Sequence, residues 1–136
     1  MTVVVNARDL NVLTGAIVDA AFKLHVGLGP GLLESAYQRI LARDLARRGL
    51  LVDTERLISF EYDGMRFDSG FRVGMLIENS IVVELKSLEQ LSPVHSKQLL
   101  TYLRLLRLPV GLLINFGAAR LKDGIRRVVN GYPADS

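Results

Sequence analysis

The chain contains no cysteine. That absence removes disulfides, thiolate metal sites and thiol catalysis together, and it agrees with a reducing compartment. Any bound metal must take oxygen or imidazole ligands, and there are only 2 histidines. No apolar run approaches the roughly 18 residues needed to span a bilayer. The opening Met1-Thr2-Val3-Val4-Val5-Asn6 lacks the basic start and long apolar core of a secretory signal, so a cytoplasmic protein is expected. No internal repeat or low-complexity segment interrupts the chain. Gly27-Leu28-Gly29-Pro30-Gly31 is no nucleotide loop, because no strand precedes it and no Gly-Lys-Ser/Thr ends it.

What is present fits one domain. A length of 136 residues, with 49% hydrophobic and 23% charged residues, is enough to bury a real core. The net charge of +3 says little about partners by itself. Its distribution says more. Lys97, Arg104, Arg107, Arg120, Lys122, Arg126 and Arg127 stand against the single acid Asp123 between Lys97 and Gly131. A surface in the C-terminal third is therefore expected to be positive, either as a phosphate-binding face or as an ordinary solvated one.

From about Ala7 to His25, the residues Leu10, Leu13, Ile17, Ala20, Ala21 and Leu24 recur at helical spacing, which predicts an amphipathic helix. The glycine and proline cluster stops it. A second helix is expected from about Leu32 to Arg48, with Leu33, Tyr37, Ile40, Leu41 and Leu45 inward and Gly49 as its stop. Short strands follow: Leu50-Leu51-Val52, then Leu57 to Tyr62, then a hairpin turn at Asp63-Gly64, a return from Met65 to Phe67, and Phe71 to Ile77. Glu78-Asn79-Ser80 turns the chain into Ile81-Val82-Val83-Glu84-Leu85-Lys86. Ser92-Pro93 opens a helix to about Arg107. Val110 to Phe116 is a buried strand, and a helix between two buried strands makes it parallel to the strand at Ile81. The tail from Arg120 to Asn130 is either a strand or a short helix. The fold class is α/β: a central mixed sheet flanked by helices, with an αβββαβ core and an extra N-terminal helix.

The strand at Ile81 carries the chemistry. Side chains alternate along an extended chain, so Val82, Glu84 and Lys86 point one way and Ile81, Val83 and Leu85 the other. A carboxylate and an ammonium at the end of an apolar strand need a partner or a ligand. They are either a structural ion pair or part of a site. Glu34 sits where the positive end of a helix dipole favours an ionised carboxylate, which is also the ordinary use of an acid at a helix start. His95, Gln98 and Tyr102 form a polar stripe at i, i+3 and i+7 on the third helix. His25 and His95 have no nucleophile beside them in sequence and are expected to pack or to bond a helix end.

Several segments recur together in one known group. Gly31-Leu32-Leu33-Glu34-Ser35-Ala36-Tyr37 has the form Gly-x-x-Glu-x-x-Tyr. With its lead-in of His25 and Leu28-Gly29-Pro30, and with Val82 to Lys86, Leu91 to His95, Gln98 to Tyr102 and Gly111 to Phe116 in the same order, the chain resembles the GxxExxY family of the PD-(D/E)XK, or restriction-endonuclease-like, nucleases. The resemblance covers roughly residues 10 to 130. It implies that Glu34 and Glu84 hold a divalent metal, Mg2+ or Mn2+, that Lys86 stabilises charge on an attacking water or the phosphate, and that Gln98 and Tyr102 line the site. Carboxylate oxygens suit a hard cation, and phosphodiester cleavage needs charge offset at phosphorus.

One position departs from that pattern. Where the family carries Arg-Ala-Asp-Leu, with Asp as the central ligand, this chain has Arg72-Val73-Gly74-Met75. Asp68 and Glu78 share the strand parity of Gly74 but lie roughly 20 Å and 13 Å along an extended chain. The resemblance therefore implies a nuclease-like protein acting on or binding DNA or RNA, with metal binding weakened or lost. The alternative is a catalytically inactive interaction or scaffold domain, including a homo-oligomer. An active enzyme with a relocated carboxylate is a third reading.

Overall fold

The computed structural model describes residues 7–131. Helix α1 (Ala7–Leu28) is followed by α2 (Glu34–Arg47), the strands β1 (Val52–Tyr62), β2 (Met65–Ile77) and β3 (Ile81–Lys86), helix α3 (Pro93–Leu106), strand β4 (Val110–Asn115), a 3-10 turn (Leu121–Gly124) and strand β5 (Ile125–Val129). The five strands form one mixed sheet in the order β1-β2-β3-β4-β5. Strands β3 and β4 are parallel across the α3 crossover, and every other neighbouring pair is antiparallel. Among the described residues no helix is long and apolar enough to cross a membrane.

The alternation along β3 decides how the layers sit. Ile81, Val83 and Leu85 join Leu10, Ile17, Tyr37 and Leu41 in one core, under α1 and α2. Val82 joins Leu76, Leu99, Leu103 and Leu113 in a second core, under α3. All six residues of β4 are buried, as expected for a central parallel strand covered on both faces. Glu84 and Lys86 share the parity of Val82, so they extend the α3-side row past the point where apolar cover ends.

Local chemistry accounts for the turns. Asp63 and Gly64 have φ of 52° and 77°, and Glu78 and Asn79 both have φ of 51°. Paired left-handed residues match the twist of the strands they join. Ser92 caps α3: its hydroxyl accepts from Val94 N–H at 3.4 Å, and His95 Nδ1 accepts from Ser92 N–H at 3.0 Å.

Two expectations are refined. The chain stays extended through residues 53–56, so Val52 to Tyr62 is one strand, β1, with Leu50 and Leu51 before it, and the two pieces of its return are one strand, β2, with an irregularity between the Ile58–Phe71 and Phe60–Phe67 pairs. Charged residues interrupt the apolar pattern there while the pairing with β2 resumes on either side of Glu55, because β1 is the edge strand of the sheet and residues 54–56 are exposed. The tail, open between strand and helix, contains both: Leu121 is buried in the 3-10 turn, and β5 then pairs with β4.

Candidate active site

The entry to α2 is built by the glycine turn and one tyrosine. Gly29 and Gly31 have φ of 73° and 113°, a region that side chains disfavour. Tyr37 is fully buried. Its hydroxyl donates to the Gly29 carbonyl at 2.6 Å and accepts from Leu32 N–H at 3.1 Å, while its ring stacks on Phe116 at 4.5 Å between centroids. The Ser87 hydroxyl donates to the Leu32 carbonyl at 2.6 Å, which ties this turn to the end of β3. The motif residues thus have separate tasks: Gly31 shapes the turn, Tyr37 holds it, and Glu34 is left exposed as the first residue of α2.

Glu84 lies across from Gly74, given the Met75–Val83 pairing of β2 with β3. Gly74 N–H donates to Glu84 Oε1 at 2.9 Å. On the other side of β2, the Thr54–Met75 and Arg56–Val73 pairs place Glu55 of β1 across from the same glycine. Glu55 has φ of 50°. Its Oε1 accepts from Gln38 Nε2 at 2.9 Å, and its Oε2 lies 3.8 Å from Arg72 Nε. Glu34, Gln38 and Glu55, with Leu33 and Ser35, line a pocket of about 340 Å³. A larger opening of about 650 Å³, whose walls include Gln90, Asn115 and Arg126, lies beyond the ends of β3 and β4 and shares no residue with this one.

Burial pushes the Glu84 carboxyl up to about 7; the Gly74 N–H and the Lys86 charge oppose that rise, while the charges of Glu55 and Glu34 add to it. The Tyr102 hydroxyl is also raised, first by burial and then by the Glu84 charge. Glu34, Glu84, Lys86 and Tyr102 therefore share one electrostatic environment. Tyr102 stacks on Phe71 at 4.6 Å. Gln98, one turn earlier on α3, is exposed, and its side chain makes no hydrogen bond with the described residues. The histidines bond backbone: His95 at the α3 cap, and His25 Nε2 with the Ala118 carbonyl at 2.9 Å.

The family model of the PD-(D/E)XK nuclease superfamily matches residues 11–128. The chain belongs to that superfamily. No curated protein and no solved structure matches it. Members of the PD-(D/E)XK superfamily typically use Mg2+, an ion that demands near-octahedral oxygen ligands at about 2 Å. The side chains in place do not supply a full set of such ligands, so waters or phosphate oxygens would have to complete the shell. Among the described residues no three Asp, Glu, His or Cys side chains converge closely enough to hold a metal. A Cβ on Gly74, from which a carboxylate would extend, would lie 2.9 Å from Gln38 Oε1 and 3.1 Å from Glu84 Oε2. The space is filled from both sides.

Two residues of this cluster do not stand out in the sequence. Gln38 follows Glu34 at i+4, the spacing that places side chains on one helix face, and that signal was available. Glu55 had none, because its position depends on the β1–β2 register.

Proposed function

We propose that this chain is a nucleic-acid-binding, nuclease-like domain of the GxxExxY type that cleaves phosphodiesters slowly or not at all. The observation that carries the reading is the bond from Gly74 N–H to Glu84 Oε1: the retained carboxylate is engaged by backbone at the place where a second carboxylate would have shared an ion. Glu34, Glu84, Lys86 and Tyr102 are the remnant of the site, with Gln98 at its margin, and magnesium or manganese binds weakly or not at all. The seven basic residues of the C-terminal third are exposed, which supports contact with a phosphate backbone.

The test incubates single- and double-stranded DNA and RNA with the protein in Mg2+ or Mn2+, beside a Gly74→Asp variant. Gly74 is not in the left-handed region, and the two atoms nearest a Cβ there are the ends of flexible side chains, with the Val83 carbonyl at an ordinary 3.4 Å, so aspartate is accommodated once Gln38 and Glu84 shift. Salt-dependent binding by both proteins, with faster cleavage by the variant, is expected. If neither protein binds any of the four polymers, the reading fails. Rapid wild-type cleavage that Glu84→Gln abolishes would remove the inactive part of it.

A self-associating scaffold is a second reading, favoured by the β1–β2 hairpin, where Tyr62 and Met65 are 70% and 61% exposed. Sedimentation across a range of concentrations tests it. A single monomeric species throughout excludes it.

A further inference from the structure

The row Glu55, Gly74, Glu84 runs across three adjacent strands, and Gln38 stands over its middle. The side chain of Gln38 reaches the row from α2, one helical turn after Glu34. Its Nε2 donates to Glu55 Oε1 at 2.9 Å, and its Oε1 lies 2.9 Å from the point where a Cβ on Gly74 would be. Glu55 meets it from a backbone that an L-residue seldom adopts, with φ of 50° in the middle of a paired strand. Such outliers persist where the surroundings hold them and often belong to functional places. Nothing in the backbone of Gly74 requires glycine. What glycine provides there is room, and the room is taken by an amide.

We propose that Gln38 is a built-in plug. One end of its amide satisfies an acceptor of Glu55 and the other lies over Gly74, so the amide takes the position that a divalent ion held by Glu55, Glu84 and waters would need. On this view the mismatch between the side chains and the superfamily's ion is a designed closure of the site rather than the loss of one ligand. It rests on the nuclease-like reading and deepens it. Glycine at 74, glutamine at 38 and the left-handed Glu55 form one coupled set, and opening the site requires displacing the amide.

The experiment follows Mn2+ itself, by electron paramagnetic resonance and by calorimetry, on the full chain without nucleic acid. Wild-type protein is expected to give no saturable binding. Gln38→Ala, which removes the plug and suits a helix interior, is expected to bind Mn2+ saturably, and that gain should vanish when Glu55→Gln is added. Circular dichroism checks folding, and Gln38→Ser replaces the alanine variant should that one unfold. Saturable wild-type binding equal to that of the Gln38 variant overturns the proposal. So does a folded Gln38 variant with no gain, or a gain indifferent to Glu55. Nucleic-acid binding measured on the same samples separates the outcomes: the plug can fail while salt-dependent binding persists, and the nuclease-like reading fails only if that binding is missing.

Discussion

A carboxyl that is taken from water and crowded by Glu55 and Glu34 holds its proton longer, and Glu84 does so up to about 7 against an ordinary value of 4.5. Between those values the folded chain binds more protons than the unfolded one, so stability falls as pH rises through the interval and the loss is complete above it. The size is about 3 kcal/mol. Urea unfolding from about pH 5 to about pH 8 should show wild type weakening across that range and Glu84→Gln varying far less; parallel profiles would refute the assignment. The same residue shows how far sequence reaches. Glu84 and Lys86 stand out in the sequence because charges at the end of an apolar strand need a partner or a ligand, whereas Glu34 is by itself an ordinary helix-start acid and stands out only through the Gly-x-x-Glu-x-x-Tyr resemblance. Glu55 does not stand out. The acids that share the parity of Gly74 along the chain, Asp68 and Glu78, are engaged elsewhere: Asp68 with Arg66 at 2.8 Å, and Glu78, whose Oε2 accepts from Leu51 N–H at 2.7 Å. The neighbouring strand lies only about 5 Å away, but which of its residues faces Gly74 is fixed by pairing.

The element that delivers Glu34 to the site is α2, and its start depends on Tyr37. Tyr37→Phe preserves the ring that stacks on Phe116 but deprives Leu32 N–H of its acceptor and the Gly29 carbonyl of its donor. Unfolding free energy should drop by about 1–3 kcal/mol, and amide exchange should quicken at Leu32 ahead of the helix interior. A variant as stable as wild type, with Leu32 equally protected, would show that the glycine turn holds itself. Helix α2 was readable from its period, as were α1 and α3, since Tyr37, Leu41 and Leu45 recur on one buried face. The parallel pairing of β3 and β4 followed from the crossover helix. Continuity of β1 did not follow, because Asp53, Glu55 and Arg56 look like a break when hydropathy is the only guide. At the sheet's edge, pairing with β2 carries the strand through, and exposed charged side chains cost it little because they stay in water.

Across the molecule the charges are sorted. The ion pairs among the described residues join Asp19 to Lys23 and Arg48, Asp53 to Arg56, Asp68 to Arg66 and Glu55 to Arg72, all before α3. Lys97, Arg104 and Arg107 on α3, and Arg120, Lys122, Arg126 and Arg127 beyond β4, are exposed and take part in none of them. Helix α3 packs beside β5, with Val128 against the core that holds Leu99 and Leu103, so the two groups of cations occupy neighbouring elements. Unpaired cations release counterions when they meet phosphates, whereas paired ones have already surrendered part of that gain. Replacing Arg104 and Arg107 together by glutamine should therefore flatten the dependence of log K on log salt by about 0.7–0.9 for each phosphate contact removed. Lys23→Gln, which removes a cation already held by Asp19 at 3.2 Å, should leave the slope unchanged. Fluorescence anisotropy with labelled DNA and RNA at several salt concentrations measures both. Equal slopes for wild type and the double variant would move the nucleic-acid contact off α3, and a slope lowered by Lys23→Gln would show that net charge rather than this face governs binding.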